Sequence, residues 1–222
     1  MAPQGCVLSP LLFTLLTHDC KPTFSANHIV KFADNTTVVG LISNNDETNY
    51  RKVNQLALWC QNNNLFLNVE KTKEIVVDFR RTHYQPPLPL TINGAAVEQV
   101  SSTKFLGVTI TDDLTWKNNT TALAKKAQQR LYFIRKLKRA GAPLPIMLSF
   151  YRGATESILS SCITLWFGSC TLSNRKSLQQ IVNSAQRIIG ASLPSLQDIY
   201  HNRLTRKALS IVGSVGRVTS KI

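Results

Sequence analysis

The stretch Lys31–Gly40, which reads Lys-Phe-Ala-Asp-Asn-Thr-Thr-Val-Val-Gly, decides how the rest of the chain is interpreted. Two runs rich in apolar and β-branched residues, Ile29–Ala33 and Thr36–Leu41, flank the polar pair Asp34 and Asn35. Such runs around a short polar pair are typical of a β-hairpin that presents two side chains at its tip. The sequence therefore predicts a hairpin here, with Asp34 and Asn35 as a candidate site.

The segment from Phe32 to Asn35, with the Thr that follows it, resembles the Phe/Tyr-Ala-Asp-Asp box of reverse transcriptases, specifically those of non-LTR (LINE-type) retrotransposons. In that family two adjacent Asp residues and a third on an earlier strand hold two Mg²⁺ ions. The resemblance implies that Asp34 is a catalytic metal ligand and that Asn35 stands at the second catalytic position. Because Asn35 offers Mg²⁺ a neutral amide oxygen and no carboxylate, we expect defective catalysis.

A second block of the same family precedes the hairpin. Pro3-Gln4-Gly5, followed by Ser9-Pro10, resembles the turn that opens a palm helix in reverse transcriptases. The resemblance implies that Gln4 and Gly5 lie near the template and the incoming nucleotide. The order of this block and the Phe-Ala-Asp box along the chain is the order that the family has.

The residues after this turn predict a short buried helix. Ser9 is a candidate N-cap, Pro10 suits the first helical position, and Leu11–Leu16 would form the buried stripe. Met1 stands directly before the Pro-Gln-Gly block. We therefore expect a fragment that lacks the fingers and the first catalytic strand.

The region after the hairpin predicts a helix over Asn45–Asn64 and then a strand over Glu74–Phe79. The segment between them, Leu65 to Lys73, resembles the next block of the family. The resemblance implies that Lys71, or alternatively Lys73, lies near the leaving pyrophosphate. Two solvated lysines in a loop are the alternative interpretation.

A second hairpin is predicted further along, because Asn93-Gly94 is the dipeptide that a type I′ turn requires. The flanking strands would be Leu90–Ile92 and Ala95–Val100. The segment Thr103–Ile110, with Trp116 downstream, resembles the primer-grip block at the edge of the palm.

From Trp116 onward the pattern is helical. Leu123, Ala127, Leu131, Ile134 and Leu137 recur at helical spacing. Seven basic residues occupy the other faces of this helix, and they are our candidates for nucleic-acid contact: Lys125, Lys126, Arg130, Arg135, Lys136, Lys138 and Arg139. A solvated basic face is the alternative. Gly141 is expected to end the helix.

Three more helices are predicted after the basic one. The first runs from Pro145 to about Leu165, and the second is capped by Ser173 and ends at Gly190. The third begins near Ser195, where Asp198 completes a capping box.

Charge separates the two halves of the 222-residue chain, in which 26 Lys and Arg face 12 Asp and Glu. Residues 1–116 hold nine basic and ten acidic residues, whereas residues 117–222 hold seventeen and two. This asymmetry favours a polyanionic partner, and nucleic acid is the commonest one. An anionic membrane surface is the competing partner.

Five scattered cysteines without a Cys-x-x-Cys pair argue against a zinc site or a disulfide framework. They favour a reducing intracellular compartment, nuclear or cytoplasmic. The apolar run Val7–Leu16 is too short to span a bilayer. We therefore expect no membrane segment.

Together these features predict an α+β fold: a partial polymerase palm over residues 1–116, followed by an all-α basic thumb and C-terminal extension over residues 117–222. The expected partners are an RNA or RNA–DNA template–primer duplex and a separate fingers–palm fragment. The cofactor that the family implies is Mg²⁺.

Two alternatives remain at this point. The segment Trp166–Tyr200 is similar to a short module at the N-terminus of AlkB-like tRNA-modifying dioxygenase–methyltransferases. None of the four histidines begins the His-x-Asp pattern that a dioxygenase needs for iron. The other alternative is a transposon remnant with no selected role, which would expose the apolar surface that its missing half should cover.

Overall fold

The computed structural model of the protein describes residues 8–21, 27–33, 35–42, 54–80 and 89–219. The chain divides into two compact units, Met1–Ser101 and Ser102–Ile222, which we call the N-terminal and C-terminal units. Helices and small two-stranded sheets occur together, so the α+β class is confirmed at that level. The palm and thumb assignments, and their boundary at residues 116 and 117, remain predictions.

The N-terminal unit combines short helices with short strands. Its described elements are α1 (Leu8–Leu16), β1 (Asn27–Phe32), β2 (Asn35–Gly40), α2 (Asn54–Asn62), a 3₁₀ turn (Val69–Lys71), β3 (Lys73–Glu74), β4 (Thr91–Ile92), β5 (Ala95–Ala96) and β6 (Glu98–Gln99). The pairs β1–β2 and β4–β5 are antiparallel, whereas β3 and β6 are parallel.

The hairpin predicted around the Phe-Ala-Asp box is confirmed. Strands β1 and β2 pair from Asn27 opposite Gly40 to Phe32 opposite Asn35. Ala33, in the turn, has a φ of 50°, which is uncommon for a residue other than glycine. Lys31 of β1 also donates a hydrogen bond to the carbonyl oxygen of Thr17, just after α1.

The predicted buried stripe on α1 is wrong. Leu11, Leu12 and Leu15 are 55%, 54% and 58% exposed. An apolar pattern shows that a helix face can be buried, but burial also requires a packing partner, and the described residues of this unit supply none. Ser9 lies inside the helix and is not its cap, since the helix already includes Leu8.

The predicted strand Glu74–Phe79 is also mostly wrong. Pairing stops after Glu74, because the partner strand β6 is itself only two residues long. The second hairpin is confirmed, and its turn residues Asn93 and Gly94 have φ values of 51° and 80°. This hairpin contributes to a small core formed by Ala57, Leu90, Ile92 and Val97.

The helix predicted over residues 45–64 is described from Asn54 to Asn62, and residues 43–53 lie outside the described part. Ala57 and Cys60 of this helix are buried. Burial raises the pKa of the Cys60 thiol above its usual value. Residues 81–88 lie outside the described residues too.

The C-terminal unit is mainly helical. Its described elements are β7 (Ser102–Phe105), β8 (Val108–Thr111), α3 (Lys117–Arg139), α4 (Leu144–Phe150), a π-helix (Tyr151–Glu156), α5 (Ser157–Leu159), α6 (Ile163–Trp166), α7 (Leu172–Ile189) and α8 (Leu196–Thr219). None of the described helices is both long enough and apolar enough to cross a membrane.

Helix α3 packs along α7, and this pair organises the core of the C-terminal unit. The predicted spacing on α3 is confirmed, because Leu123, Ala127, Leu131 and Ile134 are all buried. From α7, a matching stripe enters the same core, formed by Leu178, Ile181, Val182, Ala185 and Ile189. Gly141 and Gly190 follow the two helices with φ values of 70° and 83°, the left-handed conformation that favours glycine.

The single helix predicted from Pro145 to Leu165 is interrupted twice. A π-helix replaces its middle at Tyr151–Glu156, and a break follows in which Cys162 has a φ of 48°. Apolar spacing alone does not reveal a π-helix, because one inserted residue shifts the pattern without removing it.

The cap predicted for α7 was also wrong by two residues. Thr171, and not Ser173, accepts a hydrogen bond at its side-chain oxygen from the backbone N–H of Asn174, at 3.2 Å. The capping box before α8 is confirmed, since the Ser195 hydroxyl donates to the Asp198 carboxylate at 2.6 Å.

Removing the hydroxyl of Tyr151 tests the core around the π-helix. Tyr151 is fully buried, and its hydroxyl has no hydrogen-bond partner among the described residues. We expect Tyr151→Phe to raise the free energy of unfolding by about 1 kcal/mol, because it removes an unsatisfied buried polar group. Tyr151→Ala should lower it by about 3 to 5 kcal/mol. Denaturant unfolding measures both; destabilisation by Phe would show that the hydroxyl is hydrogen-bonded.

The same side chain predicts how stability depends on pH. Burial raises the pKa of Tyr151, with a smaller contribution from the charge of Glu156. The unfolded chain can release this proton above about pH 10, whereas the folded chain retains it. Stability should therefore fall as the pH rises past 10, and fall less in Tyr151→Phe. If the free energy of unfolding falls equally with pH above 10 in the two proteins, this expectation is contradicted. Tyr132→Phe, at an exposed position, is the control.

Candidate functional site

Asn35, one residue of the predicted catalytic pair, lies at the turn end of the β1–β2 hairpin. Asn35 opens β2 opposite Phe32, and both residues are exposed. Asp34 lies outside the described residues, as do Gln4 and Gly5. Of Gln4, Gly5, Asp34 and Asn35, the structure therefore describes Asn35, which lies beside the turn.

The described residues do not form a magnesium site. No group of three or more His, Cys, Asp or Glu residues within them could hold a metal ion. Asn35 adds an uncharged amide, and Mg²⁺ binds mainly through carboxylates, phosphates and water. The described part of the site therefore does not fit the metal.

Lys71 and Lys73 have different environments, which bears on the two candidates for the pyrophosphate lysine. Lys71 ends the 3₁₀ turn, and its backbone N–H donates to the side-chain oxygen of Asn68 at 3.1 Å. Its side chain is exposed. Lys73 instead forms an ion pair with Glu98 across the β3–β6 pair. Lys71 is thus the better placed of the two for an anionic ligand.

The seven predicted cations of α3 are all exposed. No carboxylate pairs with them in the described part of the chain. The sequence explains this, since no Asp or Glu occurs between Asp113 and Glu156. The helix therefore presents uncompensated positive charge to solvent.

Part of this charge also stabilises the helix itself. Lys136, Lys138 and Arg139 lie in the last turn of α3, where cations interact favourably with the helix dipole. Lys125, Lys126 and Arg130 lie further from that end. Their charge is not explained by the dipole, because the effect falls off within one turn.

Two exposed aromatic residues lie among these cations, and the sequence analysis missed them. Tyr132 and Phe133 are 53% and 45% exposed on α3. The Lys136 ammonium lies 5.5 Å from the centre of the Tyr132 ring, and the Arg130 guanidinium lies 5.9 Å from that of Phe133. The sequence does contain a signal for this pair, because two aromatic residues occur among the polar positions of an amphipathic helix.

Other arginines of the C-terminal unit have internal partners. Arg175 lies over the Phe167 ring at 5.2 Å and donates to the carbonyl oxygen of Gly168. Arg203 of α8 donates to the Ser160 hydroxyl at 2.9 Å, and so connects α8 to the break before α6. These two charges support the fold, whereas the seven exposed cations of α3 remain available to a ligand.

Residues 1–110 match the family model described as reverse transcriptase (RNA-dependent DNA polymerase). Over these residues the chain is similar to reverse transcriptases. No solved structure matches the chain.

Two curated relatives come from transposons of Drosophila melanogaster. The "Probable RNA-directed DNA polymerase from transposon BS" is 27% identical over 202 residues, which cover 84% of this chain and 22% of that protein. The "Probable RNA-directed DNA polymerase from transposon X-element" is 24% identical over 200 residues, which cover 84% of this chain and 21% of the relative. The chain thus spans about a fifth of the length of these relatives. It is a reverse transcriptase-like segment of the non-LTR retrotransposon type.

A second family model matches part of the C-terminal unit. Residues 116–157 match the model described as alkylated DNA repair protein alkB homolog 8, N-terminal. The sequence analysis placed this resemblance at Trp166–Tyr200, and that position is wrong. The matched segment contains α3, α4 and the π-helix, and it ends before Trp166.

Proposed function

We propose that this chain is a nucleic-acid-binding segment of a non-LTR reverse transcriptase, and that α3 binds an RNA–DNA or RNA template–primer duplex. The observation that carries the proposal is the row of exposed cations on one helix without carboxylate partners. Such a surface attracts phosphates, and the release of condensed counterions from the nucleic acid drives binding.

The dimensions of α3 suit a duplex. Its 23 residues give it a length of about 35 Å, which is close to one helical turn of duplex. The seven cations extend from Lys125 to Arg139, about 21 Å along the helix, so they can contact several phosphates at once. Phosphate contacts hold a protein on a duplex without reading its sequence, as a template–primer grip requires.

The proposal also holds that the chain does not polymerise DNA by itself. Asp34 is the proposed metal ligand and Asn35 the altered second position, with Lys71 beside the pyrophosphate. Reverse transcriptases in general use divalent metal ions, and an amide in place of a carboxylate weakens their binding. A loss of about 4 kcal/mol of transition-state stabilisation slows a reaction about a thousandfold.

The N-terminal unit supports a further part of the proposal, a separate fingers–palm segment as partner. Helix α1 exposes five leucines, and the hairpin exposes Val30, Phe32 and Val39. Apolar surface of this extent is typical of a face that another protein segment covers. The curated relatives are about five times as long as the matched segment, which leaves room for such a partner.

A salt series tests the duplex grip. We expect the full chain to bind a labelled RNA–DNA duplex with an affinity that falls steeply as salt rises. Replacing Lys125, Lys126, Arg135 and Lys136 by Gln should flatten the logarithmic salt slope by up to about 3.6, because each lost phosphate contact removes about 0.9. Fluorescence anisotropy measures the slope.

The control for this series removes the same charge elsewhere. Lys176, Arg187, Arg206 and Lys207 are exposed on α7 and α8. Their replacement by Gln should change the slope by less than about 1. Equal losses in both variants would mean that binding follows net charge and not α3, which would refute the proposed interface.

Restoring the second carboxylate tests the catalytic part of the proposal. We expect Asn35→Asp, mixed with a separately expressed fingers–palm segment of a relative, to extend a primer in Mg²⁺. The unaltered chain in the same mixture should be about a thousandfold slower, or inactive. Asn35→Ala is the matched control. Equal extension by the unaltered chain would show that Asn35 is not the defect.

A further inference from the structure

The polar face of α3 contains an aromatic ring that phosphate binding does not require. Tyr132 is 53% exposed. At about 100° per residue, Tyr132 falls within about 40° of both Lys125 and Lys136, on the face opposite the buried Ala127. Arg139 follows Tyr132 by seven residues, as Lys125 precedes it by seven, so that each lies about 10 Å away along the helix.

Phe133, the neighbouring aromatic, has a structural explanation that Tyr132 lacks. The Phe133 ring packs at 6.5 Å from the Phe150 ring of α4, which is continuous with the core. The centres of the Tyr132 and Phe133 rings lie 5.5 Å apart, with an interplanar angle of 78°. The Lys136 ammonium lies 5.5 Å from the centre of the Tyr132 ring. These contacts hold the ring in place without burying it.

We propose that Tyr132 is a stacking subsite for an unpaired nucleotide, flanked by Lys125, Lys136 and Arg139 as contacts for the adjacent phosphates. This inference rests on the proposed nucleic-acid binding and deepens it, because it names single-stranded RNA or DNA as the ligand at this position.

The chemistry of the ligand favours a single strand here. In a duplex the base faces are covered by neighbouring base pairs, so an aromatic side chain on a helix surface reaches them only at an end. The face of an unpaired base is accessible to such a side chain. Stacking on an aromatic ring adds to the binding free energy whichever base is present, because every base has a π-face. The cations on both sides supply the backbone contacts that single-strand grooves use.

The arrangement also implies an order along the nucleic acid. Lys126 and Arg130 lie on the flank of α3 next to Phe133, whereas Lys125, Tyr132 and Lys136 lie on its outermost face. A duplex that is held by cations of both groups and ends on α3 would place an unpaired extension beside Tyr132. The preferred ligand is therefore a duplex with a single-stranded overhang.

The test compares three probes on the full chain: a blunt RNA–DNA duplex, the same duplex with an unpaired extension, and a single strand of about ten nucleotides, a length within the range that such surfaces cover. The single strand is supplied as oligouridine and as oligothymidine to distinguish RNA from DNA. We expect Tyr132→Ala to weaken single-strand and overhang binding at least about fivefold, and blunt duplex binding by less than about twofold.

Matched variants separate stacking from other effects. Tyr132→Phe keeps the ring and should bind as the unaltered chain does, whereas Tyr132→Leu keeps bulk without a π-face and should behave like Ala. The salt slope should stay the same in all three, since no charge is lost. Circular dichroism confirms that the exposed substitutions leave the fold intact.

The outcomes are distinct for the two proposals. Equal weakening of all probes by Tyr132→Ala, or no weakening of the single strand, would overturn the stacking subsite. Failure of the unaltered chain to bind any probe would instead overturn the proposed nucleic-acid binding itself.

Discussion

The packing of α3 against α7 is the constraint on which the C-terminal unit depends. Burial of Leu123, Ala127, Leu131 and Ile134 fixes the rotation of α3 about its own axis. Most of the other residues of α3 then face solvent, and they include the seven cations and the two aromatics. The functional surface is therefore a consequence of the core: a helix that rotated would bury charge without a partner, at a cost of several kcal/mol per ion.

The N-terminal unit has no comparable anchor. Its largest described core joins four small or medium side chains, and its longest strand pair exposes apolar residues. A unit of this kind gains little free energy from burial, because about 25 cal/mol is recovered per Å² of apolar surface removed from water. This is the physical reason for proposing that another segment completes it, and for placing the binding activity in the C-terminal unit.

Sequence reasoning succeeded where local chemistry decides the structure. The Asn93-Gly94 turn, the Ser195–Asp198 capping box and the apolar spacing of α3 each depend on nearby residues, and each is confirmed. It failed where the answer depends on distant parts of the chain. The leucines of α1 have a pattern suited to burial, but no described surface covers them. The apolar pattern from Pro145 to Leu165 predicted one continuous helix, whereas a π-helix interrupts it. For the candidate site, the cations of α3 were found from composition, whereas Tyr132 carries no charge and contributes nothing to that signal.

Mapping where nucleic acid contacts the chain tests the central claim most directly. Ultraviolet cross-linking of the full chain to an RNA–DNA duplex, followed by mass spectrometry of the linked peptides, locates the contact without changing any residue. The account predicts that the linked peptides come mainly from Lys117–Arg139, and that those of α7 and α8 are rare. Cross-links confined to α7, α8 or the N-terminal unit would contradict it.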